Sequence, residues 1–475
     1  MYPNNFSLQF ASHPLVQKLL ILLMATSAVI SSSTAAQATK FNFSYAPGTS
    51  LEQMLSFEIA GGVWSNYLAD NVTINIYVEM TDQLPGGVIG GALPGIRAEQ
   101  PYETWRNQLA GDRTSTDDQF VFDNQQDDAD KFTALIDGYK VDNNYKLKMT
   151  RANAKALKML DGNNTGLDGY ILMNKLPSSS VTWNYNALSN VPNGTLDFLS
   201  VGIHELGHQL GFVSGIDKAG WLTQKTQYDA AHQSDFYATL NGKLDNTTPL
   251  DAFRFSSQSV KEAGSGDSWI DMSVGSKPFF STDGGKTALG YFSTGENTSL
   301  GGDGDQASHW KEQSIPLGIM NPKLGSGQYR NISTLDRRVM DAIGWDLQQK
   351  DIDLASLQTQ AKNRLAQRLG KTVAWLDANP EEAALLLTKD RTLDVKTMIE
   401  QSKVYEWRSS SSGGWWQGGV WQHFLEEKIP LSMTNAQTEA IAVPEPSSTG
   451  VLVLGSGFLG IRFLLKHRDQ KQANK

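Results

Sequence analysis

Residues 195–212 read TLDFLSVGIHELGHQLGF, and this segment constrains the chain more than any other. Leu199, Ile203, Leu206 and Leu210 recur in it at helical spacing and define a buried stripe. Thr195 stands where it can cap such a helix, and Gly211 lets the chain turn away at its end. His204 and His208 are four residues apart, hence one turn apart on one face, and aim at a common point. Because the surrounding run is apolar, the helix is expected inside the protein, where two imidazoles without partners would be costly. Two imidazoles so placed can each give a ring nitrogen to Zn²⁺ at about 2.0–2.1 Å. Glu205 stands beside the first and can reach a water held there without being a ligand itself.

Composition narrows the search for a third ligand. None of the 475 residues is a cysteine, which excludes thiolate zinc sites, disulfide scaffolds, iron–sulfur clusters and cysteine nucleophiles. Any metal is therefore held by His, Asp or Glu, and the histidines are His13, His204, His208, His232, His309, His423 and His467. A catalytic zinc site takes three protein ligands and leaves a fourth position for water. Asp217 and Asp235 are available oxygens and His232 and His309 available nitrogens, whereas His13 and His467 lie in terminal segments and His423 in a tryptophan-rich one.

Both ends read as address labels. In residues 1–38, Lys18 precedes an apolar run over 19–30, and small residues lead to Ala36-Gln37-Ala38, the pattern of a cleaved export signal; an N-terminal anchor is the alternative. The apolar run is shorter than the roughly 20 residues a membrane span needs. Pro444-Glu445-Pro446 precedes an apolar stretch over 450–465 and a basic tail, a stop-transfer pattern that holds its positive charges on the cytoplasmic side. Residues 1–38 carry one basic residue; residues 450–475 carry five basic residues and one acid. Removing them from totals of 41 and 50 leaves 35 Lys+Arg against 49 Asp+Glu, a net charge of −14. No basic stripe serves phosphates, so nucleic-acid binding is not expected.

Between the ends the pattern is mixed. Residues 51–68 have helical apolar spacing, and Val72, Ile74, Ile76 and Val78 alternate as on a half-buried strand. Residues 86–95 read as a glycine-rich loop or edge strand, 112–130 as acidic turns, 151–160 as a helix and 170–173 as a short strand. The implied class is α+β, a mixed sheet with the motif helix. Residues 347–407 follow as a helical appendage with breaks at Gly370 and Pro380, and 408–442 as a Ser/Gly/Trp-rich linker. Trp415, Trp416 and Trp421 could bind carbohydrate or matrix, or simply pack on the preceding helices. Two Gly/Asp-rich segments, around Asp283 and around Asp303 and Asp305, could hold a Ca²⁺ ion or serve as active-site loops.

The motif resembles that of metzincin zinc proteases, with one departure: where their compact H-E-x-x-H-x-x-G-x-x-H pattern has its last histidine, this chain has Ser214. A delayed His309-Trp310, with Met320 following in a turn and a helical pattern over 332–345, resembles the leishmanolysin-like group, in which an insertion precedes the third histidine. That resemblance spans about residues 51–346. It implies a metzincin-like catalytic domain over 39–346, with a C-terminal subdomain carrying the Met-turn. It also implies His204, His208 and His309 as zinc ligands, Glu205 as the base that activates a zinc-bound water, and Met320 as an apolar support, with Asp217 the alternative third ligand. The 97 residues between Gly211 and His309 have no counterpart that the motifs align, and the cysteines of that group are missing. Residues 443–475 resemble a PEP-CTERM sorting signal. They imply processing by an exosortase-type machinery, only transient membrane contact, and delivery to the surface, the extracellular matrix or the medium of a Gram-negative bacterium. The expected activity is a zinc-dependent endopeptidase acting on proteins or peptides. The alternatives are a non-catalytic zinc-binding surface or matrix protein, or a zinc amidase acting on cell-wall peptides.

Overall fold

The computed structural model describes residues 38–84, 87–123, 130–177, 180–217, 237–244, 246–265, 267–388, 417–420 and 425–426. Residues 1–37 of the proposed export signal over 1–38, and all of 443–475, lie outside the described residues, as do His232, Asp235 and His423. Among the described residues, no helix is long and apolar enough to cross a membrane.

The chain begins with β1 (Lys40–Tyr45), helix α1 (Leu51–Ser65) and β2 (Thr73–Thr81). Ser50 and Gln53 form a reciprocal capping box that starts α1. Next come β3 (Val88–Pro101), α2 (Tyr102–Gly111) and α3 (Thr116–Asp123), then β4 (Phe132–Ile136), β5 (Tyr139–Asn144) and β6 (Lys146–Thr150). They are followed by α4 (Arg151–Ala156), β7 (Gly169–Asn174), β8 (Thr182–Asn184), β9 (Thr195–Asp197) and the motif helix α5 (Phe198–Leu210). Short elements fill the interval to α6 (Ser257–Ala263) and on to α7 (Thr334–Ala342); α8 (Leu354–Arg368), α9 (Val373–Ala378) and α10 (Pro380–Leu387) complete the helices.

The principal sheet is mixed. β1, β2 and β7 run parallel, with Phe43 beside Ile76 and Val78 beside Ile171. β3 joins β7 antiparallel, with Ala92 opposite Ile171, and its far half pairs antiparallel with β6. Helices α1 and α5 lie together, and Trp64 Nε1 of α1 donates to the Ile203 carbonyl at 2.9 Å. The opposite side is held by a buried ionic group in which Lys155 of α4 reaches Asp168, and Asp168 accepts the Asn75 amide at 2.8 Å. With both faces covered, β2 is buried almost throughout rather than on one face; Asn75 and Tyr77 are as enclosed as Ile74 and Ile76.

Three other expectations are corrected. Of the two readings of the glycine-rich segment the strand holds and the loop does not, but the strand is not at an edge: from Val88 on it belongs to the 14-residue β3, between β7 and Gln417–Val420, and its small residues let backbone approach α5. The acidic turns at 112–130 contain α3, whose Asp117 pairs with Arg338 of α7. Within the linker at 408–442, Gln417–Val420 and Leu425–Glu426 are strands that pair with β3 in parallel.

The helices after residue 347 share the core of what precedes them. A bridge joins Leu68 to Leu347, and Leu357 fits over Gly62 of α1, whose missing side chain makes room for it. Arg364 Nε donates to Glu58 Oε2 at 2.8 Å, clamping α8 to α1 through a buried carboxylate. Leu357→Ala is therefore expected to lower stability by about 2–5 kcal/mol and to shift a single cooperative transition for the whole unit. Calorimetry showing two transitions, with only the smaller one moved, would mean that α8–α10 fold separately.

Candidate metal centre

The motif helix starts later than the sequence suggests. Thr195 belongs to β9, which pairs in parallel with β8, and Asp197 is the cap: its carboxylate accepts the Ser200 amide at 3.0 Å and the Ser200 hydroxyl at 2.6 Å. The aspartate lies where the chain leaves β9, so it outcompetes the threonine two residues earlier. Every residue of α5 is buried, not only the expected stripe, because the helix is enclosed on all sides. Gly211 ends it at φ 123°, a conformation closed to most side chains.

His204, His208 and His309 meet in the interior with no exposed surface. His208 Nε2 lies 3.0 Å from His204 Nε2, and His309 Nε2 lies 3.3 Å from it. Each ring turns its other nitrogen to a backbone carbonyl: His204 Nδ1 to Ile319 at 2.7 Å, His208 Nδ1 to Phe212 at 2.8 Å, and His309 Nδ1 to Gln306 at 3.1 Å. A carbonyl oxygen only accepts, so each Nδ1 carries the proton and each Nε2 presents a lone pair. Three lone pairs thus face one another in the buried interior. Ligand nitrogens at about 2.05 Å from a tetrahedral centre stand about 3.3 Å apart, which matches this spacing. The donor set therefore fits a divalent cation of the zinc type.

His309 comes from a segment held by its neighbours. Ala307 N donates to Asp217 Oδ2 at 2.7 Å, Ser214 N donates to Ser308 Oγ at 2.9 Å, and Ser293 N donates to the His309 carbonyl at 2.9 Å. Asp217 is thus engaged elsewhere. Its Oδ1 accepts the Glu296 amide at 2.8 Å, and it lies outside the histidine cluster. Asp303 and Asp305, candidate calcium ligands, pair with Lys311 and Lys323, and Asp283 accepts the Ser281 hydroxyl and the Thr287 amide. Among the described residues, the three histidines are the one group with metal-ligand geometry.

Glu205 is fully buried, and among the described residues neither carboxylate oxygen has a hydrogen-bond partner. Burial alone pushes its carboxyl well above the ordinary range. A Cβ at Gly90 of β3 would stand 2.7 Å from Glu205 Oε1, so only glycine leaves room for the carboxylate there. Met320 is buried with its sulfur packed against Gly207 of α5 and beside Trp64. Neither Gly90 nor Gly207 stands out in the sequence; both become meaningful only once β3 and the 317–322 turn are seen pressed onto α5.

Burial and mutual repulsion hold the imidazoles neutral: His204 and His208 are pulled well below the usual histidine range, and His309 down to about 4 by burial first. Comparison of the chain with family models, with curated proteins and with solved structures returns no match.

Two measurements follow from this geometry. Gly207→Ala should destabilise the protein by about 1–3 kcal/mol, against the usual helix preference for alanine, because the new methyl group meets Met320; chemical denaturation reads it. In metal-free protein the unfolded chain protonates His309 near pH 6.5 and the folded chain only near pH 4, so the unfolded state binds more protons and stability falls with pH in that window. Wild type should therefore lose up to about 3 kcal/mol relative to His309→Gln between pH 7 and pH 4, measured by denaturant titration with chelator present.

Proposed function

We propose that this chain is an exported zinc-dependent endopeptidase, with His204, His208 and His309 as the ligands and Glu205 as general base. The observation that carries the reading is the convergence of three Nε2 lone pairs, together with Glu205, the residue after His204 on α5, which is buried and has no hydrogen-bond partner among the described residues. A structural site closed by four ligands would have no use for an unsatisfied glutamate on the same helix, and leaving one buried is costly. The finer architecture is a metzincin-like domain of the leishmanolysin-like kind, with Met320 as the apolar floor beneath the histidines; the turn at Met320 packed against Gly207 supports it. Export and surface delivery rest on the sequence patterns of residues 1–38 and 443–475.

Zinc held by three imidazoles would lower the pKa of a bound water to about 7 and polarise a scissile carbonyl. Glu205 takes the proton of the attacking water and delivers it to the departing amine nitrogen, acting first as base and then as acid. The burial that raises its pKa suits it to hold that proton between the two transfers. The carbonyls of Ile319, Phe212 and Gln306 keep each imidazole in the tautomer that binds metal. The buried, low-dielectric surroundings strengthen every charge interaction at the reacting bond.

Glu205→Gln should retain zinc and lose casein cleavage by about 10²–10⁴-fold, with zinc measured by metal analysis after desalting. His309→Ala should release zinc at chelator concentrations that leave wild type loaded. Wild-type rates of casein cleavage by the glutamate variant would sink the reading.

A further inference from the structure

We infer that Asp336 is a positioning residue for the metal centre: its carboxylate gathers the third-ligand segment, the Met320 turn and the start of α7 into one unit, which orients His204. The inference rests on the proposed metal site and deepens it. Asp336 is fully buried, 27 residues beyond His309 in sequence. Its Oδ2 accepts the Ile319 amide at 2.8 Å and the Ser333 amide at 2.7 Å. Its Oδ1 accepts Trp310 Nε1 at 2.8 Å and the Met320 amide at 3.4 Å.

Four N–H groups therefore point at one side chain, and an ionised carboxylate is the acceptor-only group that can satisfy them all. The connection to the ligands is direct. Ile319 has its amide held by Asp336, and its carbonyl takes the Nδ1 proton of His204 at 2.7 Å. Trp310, whose indole is bonded to Asp336, adjoins His309 and donates its own amide to the Met320 carbonyl at 3.0 Å. Removing the carboxylate would free Ile319 to shift, and with it the hydrogen bond that aims His204 Nε2. A Cβ at Gly318 would collide with Asp336, so the turn and the carboxylate are fitted to each other.

The simpler role for Asp336 is to complete the capping box of α7, in which Ser333 Oγ accepts the Asp336 amide at 3.0 Å. That role needs only the Ser333 bonds; the bonds to Ile319, Met320 and Trp310 leave the helix and reach the site. Ser333→Ala separates the two, since it removes the hydroxyl cap and leaves the bonds to the turn and the indole.

The test uses the full chain, with zinc affinity from competition with a chromophoric chelator and the visible spectrum of the cobalt-loaded protein. Asp336→Asn should weaken zinc binding by about 10–100-fold and shift the cobalt bands, while Ser333→Ala lowers the unfolding midpoint and leaves both unchanged. If Asp336→Asn does not fold, Trp310→Phe, which removes one donor, should still weaken zinc several-fold and shift the bands. Wild-type zinc affinity and spectrum in Asp336→Asn, or in Trp310→Phe where that stands in for it, would overturn the inference. So would equal weakening by Ser333→Ala, which would mark the effect as loss of stability. A wild-type chain that takes up neither zinc nor cobalt would instead overturn the metal reading itself, and this inference with it.

Discussion

Three backbone carbonyls, those of Phe212, Gln306 and Ile319, decide what the centre of this protein can be. By accepting the Nδ1 protons of His208, His309 and His204 they turn three Nε2 lone pairs inward, with those of His208 and His309 standing 3.0 and 3.3 Å from His204 Nε2. No direct hydrogen bond can form between two such nitrogens, since neither carries a proton. The arrangement is repulsive unless something positive sits among them, and burial prevents the imidazoles from supplying the charge themselves. Each carbonyl belongs to a different feature: the residue after the helix stop, the insertion before His309, and the turn at Met320. The precision of the site is therefore the precision with which three separate pieces of chain are held against one helix.

That helix has to be buried all round to receive them. Trp64 anchors it to α1, and the Trp345 indole donates to the Leu210 carbonyl at 2.8 Å near its end. Glycines allow close approaches to it: Gly90 of β3 against Glu205 and Gly207 of α5 against Met320. A side chain at either position would push apart the very elements that frame the carboxylate and the histidines. Among the described residues Glu205 has no hydrogen-bond partner, and a buried polar group stays in that state only where the rest of the structure holds it there.

Much of this was legible in the sequence, but not evenly. His204, Glu205 and His208 are fixed by spacing alone, because four residues on a helix is one turn whatever surrounds it. His309 could be named only through the family resemblance that His309-Trp310 and Met320 carry, since the residues alone left His232, Asp217 and Asp235 open; the structure brings it to the pair. The α+β class and the elements over 51–65, 73–81 and 169–174 followed from periodicity. The misplaced cap shows the limit of local rules. Thr195 and Asp197 are both good caps, and only the pairing of β9 with β8 decides between them. The glycine-rich strand was harder still, since β3 has few of the bulky residues that mark strands and is defined by its neighbours. Asp217 illustrates the converse: its chemistry suited a ligand, but two backbone amides take its oxygens first.

The role of that aspartate explains how a chain without cysteine holds a long insertion between Gly211 and His309 in register. Asp217, Asp251 and Asp336 are all buried, and each accepts hydrogen bonds from segments distant in sequence. Asp251 takes the Ser214 hydroxyl and the amides of Gly215 and Thr248, binding the exit of α5 to the insertion. Asp217 binds that exit to residues 296 and 307, and Asp336 binds residues 310, 319 and 320 to α7. Burial raises the pKa of all three carboxyls while the hydrogen bonds lower it, which is the balance of an acceptor enclosed by donors. A disulfide would join two side chains, whereas each of these carboxylates accepts from two or three backbone amides, and Asp251 and Asp336 from side-chain donors as well. Where a site depends on the placement of backbone carbonyls, multi-point acceptors of this kind do what covalent staples alone could not.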